Sequence, residues 1–470
     1  MLRILGRGAT VLTCLVVVSA GAASEAAASR TLDTGYLDPS FMRPETDPAA
    51  WLARAAQSGA DIVRIAPRWS ALAPTQPADA ADPSDPAYDF GLLDAAVRSA
   101  AANHLRVLLT VTGAPRWAEG GNRPAQAAPG SWRPDPVAFG ELARALARRY
   151  SGEYPDPNAP GSALPGVHAY QGWNEPNLSL YLAPQWTRRH GRLEPASPSL
   201  YRELLNSFYR GIRSVTDDAL VVAAGTAPYG DPAPGGDRMP PARFIRELLC
   251  FRNAQLDASR CAEPARLDVL DHHPYSVGKP TRAALNPDDV SIPDLAKLVR
   301  PLRRAERLGH VLPAGPKELW ATEVSWDTDP PDPDGISLGR QARWLAETFR
   351  LLWRQGASTV MWFRVGDERP DPSYDTTYQS GTYFADGRAK PSARAFAFPF
   401  VAQQVGQRTR LWGVAPSAGR LVVELRRHGT WHGVASLRVR ERQVFQVSTR
   451  RRDGPYRARV ASYVSLPDTP

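Results

Sequence analysis

The chain has 470 residues, 43% hydrophobic and 22% charged, which is globular composition with room for one large domain and a smaller one; a disordered or fibrous protein is excluded. Its net charge of +9 is uneven, because residues 401 to 470 hold 13 Arg, no Lys and 4 Asp or Glu, so the tail carries the whole excess. Such a tail can contact a cell surface or an anionic glycan, or it can be a solvated arginine-rich β face; no nucleic-acid partner is expected.

In chain order, residues 1–28 read as a secretory signal peptide. Arg3 and Arg7 precede the apolar run "ATVLTCLVVVSAGA", and small residues ending "EAAAS" follow it. No later stretch approaches the roughly 18 consecutive apolar residues that a transmembrane helix needs, so a secreted protein, extracellular or in the cell envelope, is expected. Cys14 falls within the signal segment, and "VLTC" lacks the small residue that a lipid-anchor signal places before its cysteine. Cys250 and Cys261 remain, and in an oxidising compartment this pair is expected to form a disulfide.

From residue 29 to 395, short β-branched or aromatic runs alternate with helical periodicity. The strand candidates are "TGYLD" from Thr34, "DIVRIAP" from Asp61, "RVLLTVTG" from Arg106 and "VHAYQGWN" from Val167. They continue with "LVVAAG" from Leu220, "LDVLDHH" from Leu267, "ELWATE" from Glu318 and "STVMWFR" from Ser358. Helices lie between them: Leu93, Ala96, Val97 and Ala100 share one face, as do Leu205, Phe208, Ile212 and Val215. Eight βα units in about 330 residues predict a (β/α)8 TIM barrel, and no glycine fingerprint of a nucleotide fold follows the first strand. Residues 396–470 change to alternation without helical period, in five runs beginning "TRLWGV", "RLVVELRR", "WHGVASLRV", "QVFQVSTRR" and "YRARVASYVS". They predict a small antiparallel β domain, sandwich-like and packed on the barrel, with turns at "PSAG", "HGT" and "RDGP".

In such a barrel the chemistry sits at the C-terminal ends of the strands. Those ends carry Arg64 (strand two), Trp117 (three), Asn174 and Glu175 (four), His273 and Tyr275 (six), Glu323 and Trp326 (seven) and Trp362 with Arg364 and Asp367 (eight). Two carboxylates on one rim meet the need of glycoside hydrolysis: one must give a proton to the leaving oxygen, the other must attack the anomeric centre. Burial and like-charge repulsion suit Glu175 to the acid/base role, and Arg64 with the Tyr275 hydroxyl would hold Glu323 as the anionic nucleophile.

The segments "WNEPN" after strand four, "DHHPYS" after strand six and "LWATEVSW" at strand seven resemble the retaining glycoside hydrolases of clan A. "VRIAPRW" and "TGAPRWA" bring the resemblance closest to families 39 and 5, over residues 32 to about 400. It implies Glu175 as acid/base, Glu323 as nucleophile and Asn174 as the ligand of the sugar 2-hydroxyl. It further implies Arg64, His273 and Tyr275 as groups that orient the nucleophile or sugar, and Trp362 as the aromatic floor of the first subsite. "GAPRW" stands where the commoner family 5 pattern has a histidine-asparagine pair, which favours family 39 or a relative. Trp117 and Trp326 are further stacking candidates, whereas Trp51, Trp320, Trp344 and Trp353 are expected to be packing.

His272 and His273 point to opposite sides of their strand, so only one faces the site. "DTDPPDPDG" from Asp327 is not a calcium loop, because aligning Gly335 with the loop glycine leaves Pro330 and Gln341 at the terminal ligand positions. No metal or organic cofactor is expected, and a monomer acting on a poly- or oligosaccharide is. The alternatives are a carbohydrate- or surface-binding barrel without turnover, which would not need both glutamates with Asn174, Arg64 and Tyr275, and a transglycosylase using the same residues.

Overall fold

The computed structural model describes residues 30–470; the expected signal peptide and Cys14 lie outside them. Eight parallel strands close on themselves: β1 Asp33–Leu37, β2 Ile62–Ile65, β3 Arg106–Val111, β4 Ala169–Gly172, β5 Leu220–Thr226, β6 Val269–His272, β7 Glu318–Ala321 and β8 Ala357–Phe363. They run in sequence order around the barrel, and β1 meets β8 with Tyr36 opposite Trp362. All eight match the runs expected from sequence. Each is followed by a helix: α1 Pro48–Gln57, α2 Gly91–Ala102, α3 Pro136–Arg149, α4 Ser197–Arg213, α5 Pro241–Leu248, α6 Ala296–Leu308, α7 Leu338–Arg354 and α8 Pro391–Ala397. No helix among the described residues is long and apolar enough to cross a membrane.

Local chemistry sets these helices. Asp135 accepts hydrogen bonds from the Val137 and Ala138 amides and Pro136 opens α3, which is the capping pattern of a helix start. Leu93, Ala96, Val97 and Ala100 are buried on α2, as the periodicity requires. On α4, Leu205, Phe208 and Ile212 are buried, and Val215 packs on the core just past the helix end. α3 and α4 approach so closely that a Cβ on Gly211 would lie 2.2 Å from the Gly140 carbonyl oxygen, so this contact needs glycine.

The barrel interior is layered. Ile62, Leu108, Ala169, Val222, Val269, Trp320 and Met361 form an apolar plug near its base. Two residues further along the strands the inward positions become polar: Arg64, Thr110, Gln171, Asp271 and Thr322. The candidate site lies on top of that layer.

Seven strands make the β domain: β9 Phe400–Val405, β10 Arg408–Val414, β11 Gly419–Arg427, β12 Thr430–Val439, β13 Val444–Arg450, β14 Tyr456–Val460 and β15 Tyr463–Val464. One sheet is β9-β10-β13 and the other β12-β11-β14-β15, with Phe400, Leu411, Phe445, Leu421, Val423, Leu425 and Tyr456 in the core. The five expected strands are present. β9 is an addition to them, and the last expected run breaks at Ala461, whose φ of 49° turns the chain between β14 and β15. Cys250 and Cys261 form a disulfide just after α5, with Cα atoms 5.5 Å apart.

Candidate active site

Arg64, at the end of β2 and 1% exposed, is the hub of the rim. Its Nε donates to Thr110 Oγ1 (2.9 Å), its Nη1 to Glu323 Oε2 (3.2 Å) and its Nη2 to Asn174 Oδ1 (2.6 Å). Below it, Thr110 donates to Gln171 Oε1 (2.7 Å), and Gln171 Nε2 donates to Asp271 Oδ2 (2.7 Å). Asp271 also accepts from the Thr322 hydroxyl and amide at 2.5 and 3.0 Å. Arg64, Thr110, Gln171, Asp271 and Thr322 are thus each hydrogen-bonded within the layer, which is the condition for keeping such a layer inside a protein.

Above the layer, His273 Nδ1 lies 2.8 Å from Glu175 Oε1 and 3.6 Å from Glu323 Oε2. Tyr275 donates its hydroxyl to Glu323 Oε1 at 2.9 Å. One oxygen of Glu175, one of Glu323 and a ring nitrogen of His273 lie within 4.8 Å of one another. The strand-four end is held in an unusual backbone: Trp173 and Glu175 have φ of 81° and 42°, and the Glu175 amide donates to the Gly225 carbonyl (3.1 Å). Trp173 itself is fully buried, donates its indole N–H to the Tyr181 carbonyl (2.8 Å) and packs edge-on against Phe139.

Burial raises the Glu175 carboxyl above the usual range; His273 pulls it down and the Glu323 charge pushes it up, with a net rise. His273 is pushed up to about 9: burial disfavours its charge, but Glu323, Asp271 and Glu175 outweigh that. Asp271 stays below its ordinary value despite burial, because His273, Arg64 and Thr322 favour its charge. Burial thus works against charge on Glu175, while Arg64 and Tyr275 direct hydrogen bonds onto Glu323, so the two carboxyl groups have unlike surroundings.

Glu175, His273 and Glu323 could offer three ligand atoms to a metal ion. The guanidinium 3.2 Å from Glu323 and the imidazolium already supply the positive charge there, so this donor set fits a cation poorly. His272 is buried and neutral, pulled down to about 4 by burial, with Nδ1 2.8 Å from Thr226 Oγ1 and Nε2 bonded to the Val290 carbonyl. It is packing, so of the two adjacent histidines only His273 faces the site.

The structure brings Arg64, Asn174, Glu175, His273, Tyr275 and Glu323 together. It does not do the same for the aromatic candidates. Trp362 is fully buried and donates to the Ser380 carbonyl (2.8 Å), so, contrary to expectation, it has no face free to floor a subsite. The segment running through Ser380 covers it. Trp117 is half-buried, bonded to the Ala73 carbonyl and edge-on to Trp69, outside the hydrogen-bonded cluster. Trp326 is half-buried, donates to the Gly278 carbonyl (2.9 Å) and packs on Trp344 and Trp362. Arg364 and Asp367 pair away from the carboxylates, with Glu368 and Lys390 respectively, both at 2.7 Å. Asp271, Thr110, Gln171 and Thr322 support the site without having been anticipated. The resemblance singled out His273, and strand alternation puts Asp271, two residues earlier, on the same face.

No protein-family model and no curated protein matches the chain. Among solved structures it resembles a family 39 glycoside hydrolase from Bacteroides cellulosilyticus WH2, with TM-score 0.55 and 17% identity over 90% of this chain and 81% of that one. It also resembles a GH39 beta-xylosidase from Caulobacter crescentus (TM-score 0.50, 15% identity, 91% and 98% covered). A glucosidase from Croceicoccus marinus is similar to the same degree (TM-score 0.50, 14% identity, 90% and 93% covered). At these identities the likeness is one of fold, and the chain shares with these proteins the closed eight-stranded barrel.

Proposed function

We propose that this protein is a retaining glycoside hydrolase that cleaves O-glycosidic bonds of a poly- or oligosaccharide by double displacement. The observation that carries the reading is the pair Glu175 and Glu323, on the ends of β4 and β7, with oxygens within 4.8 Å and unlike surroundings. That spacing belongs to the retaining geometry, in which the carboxyl groups are about 5 to 5.5 Å apart and no water fits between nucleophile and sugar. The neutral Glu175 protonates the glycosidic oxygen while Glu323, oriented by Arg64 and Tyr275, attacks the anomeric carbon and forms a glycosyl ester. Glu175, now ionised, takes a proton from water, which displaces Glu323 and completes the cycle. Asn174 is fixed through its carbonyl by Arg64, leaving its amide N–H groups to meet a sugar hydroxyl. The fold shared with glycoside hydrolases of family 39 agrees with this reading. Export is part of the proposal, supported by the Cys250–Cys261 disulfide, which suits an oxidising compartment.

A panel of aryl β-glycosides and polysaccharides, assayed with azide added, tests it. Glu175→Ala and Glu323→Ala should each lose about 10²- to 10⁴-fold in turnover. On a β-glycoside, azide should rescue the first variant to give the β-glycosyl azide and the second to give the inverted α product. Full activity in both variants would sink the assignment.

A further inference from the structure

The β domain carries a charged face that the barrel chemistry does not use. On β11 the residues Leu421, Val423 and Leu425 point into the core, so Arg420, Val422, Glu424 and Arg426 point outward. The register sets Arg438 opposite Arg420, Trp431 opposite Arg426, Arg457 opposite Glu424 and Arg459 opposite Val422. One face of β12-β11-β14 therefore presents five arginines and one glutamate.

The pairing within this face is incomplete. Glu424 is taken by Arg457 (2.7 Å) and Arg459 (2.9 Å), and Arg457 also lies over the half-exposed Trp431 ring, 4.1 Å from its centroid. Arg420 has only the Ser436 hydroxyl (2.9 Å), and Arg438 has no ion-pair or side-chain hydrogen-bond partner among the described residues. Like charges directly opposite each other destabilise a sheet, and the exposed pair Arg420 and Arg438 is such a pair. An anion lying across the strands would relieve that repulsion. The choice of cation is informative too: 13 arginines and no lysine from residue 401 onward supply planar forks that match carboxylates in bidentate fashion.

We propose that this face binds an acidic, carboxylate-bearing polysaccharide, with Arg420, Arg438 and Arg426 on its carboxylates and the Trp431 ring against a sugar face. Charge complementarity selects a polyanion; the choice of a glycan over a nucleic acid rests on the reading of the barrel as a glycosidase.

Affinity electrophoresis of the full chain tests this, using Glu175→Gln so that no turnover consumes the polymer. Polygalacturonate should retard the protein at low salt and progressively less as salt rises, whereas neutral dextran should not. Arg420→Gln/Arg438→Gln should bind about tenfold more weakly while melting no lower than the parent, because the cross-strand repulsion is gone. Absence of retardation by polygalacturonate, or equal retardation of the double variant, would overturn the proposal. So would tighter retention by duplex DNA, which would make the face a nucleic-acid surface. Glycosidase activity of the unaltered chain is measured separately, so binding without activity would reject the barrel reading alone, and activity without binding would reject this one alone.

Discussion

Glu175 is set apart from Glu323 by its surroundings and not by its residue type. Both end barrel strands, but Glu175 is desolvated and touches His273, whereas Glu323 takes two hydrogen bonds from Arg64 and Tyr275. His273 therefore sits where it can tune the acid. Its charge lowers the Glu175 pKa, so removing it should raise that pKa. A general acid must be protonated, and kcat/KM falls as pH rises through its pKa. In His273→Gln the alkaline limb of the kcat/KM profile should move to higher pH even as turnover falls; an unmoved limb would mean that another group sets it. The residues of this cluster were legible because each is polar at the end of an apolar strand. Asp271, Thr110, Gln171 and Thr322 were not, because a polar residue inside a strand run gains meaning only when eight strands close and bring their inward positions to one level. Trp362 misled for a related reason: a strand-end tryptophan reads as accessible, and only the long-range packing of the Ser380 segment buries it.

Among the elements, β5 has the most demanding geometry. Its pairing with β6 shifts register between Ala224 and Thr226, a bulge in which Ala224 and Gly225 have φ of 77° and 55°. The bulge turns the Gly225 carbonyl toward the Glu175 amide, and the Ala224 amide donates to the Tyr201 hydroxyl oxygen (2.6 Å). A Cβ at Gly225 would lie 2.8 Å from Gln171 Nε2 and 3.0 Å from both Asp271 Oδ2 and His273 Nε2. Gly225→Ala should lose about 1 to 3 kcal/mol in denaturant unfolding through strain and displaced polar partners, and should lower kcat more than it raises KM. Wild-type stability and turnover in that variant would show that the polar layer can shift freely. From sequence, "LVVAAG" reads as an ordinary strand ending in glycine, and the reason for the glycine emerges only with the neighbours in place. β9 escaped notice for the opposite reason. "FVAQQV" has weak alternation and takes its strand form from pairing with β10.

At the scale of the whole molecule, the β domain is joined to the barrel through a common core. Val401, Trp412 and Val414 belong to the same apolar cluster as the barrel helices, and Trp412 lies against Trp353 of α7 with ring centroids 5.9 Å apart. Near the base of the barrel, Arg442 pairs with Asp33 (2.9 Å) and Asp61 (3.4 Å), and the Leu32 amide donates to the Arg442 carbonyl. Asp61 is pushed up to about 6, mainly by burial, and its ion pair with Arg442 ties the domain to the start of β2. A domain attached only by a linker would show none of this. Each large apolar side chain uncovered forfeits about 1.5 to 3 kcal/mol, and removing the tail uncovers several at once, Trp353 among them. A chain ending at residue 398 should therefore melt well below the full chain or aggregate, with glycosidase activity lost in step with folding and not through the chemistry. Equal melting temperatures and equal activity for the two chains would mean that the domain is a detachable module. The proposed glycan-binding face is compatible with either outcome, since Arg420 and Arg438 lie on β11 and β12 whereas Trp412 lies on β10 of the other sheet, and a face can bind a ligand on a domain that the barrel also needs in order to stay folded.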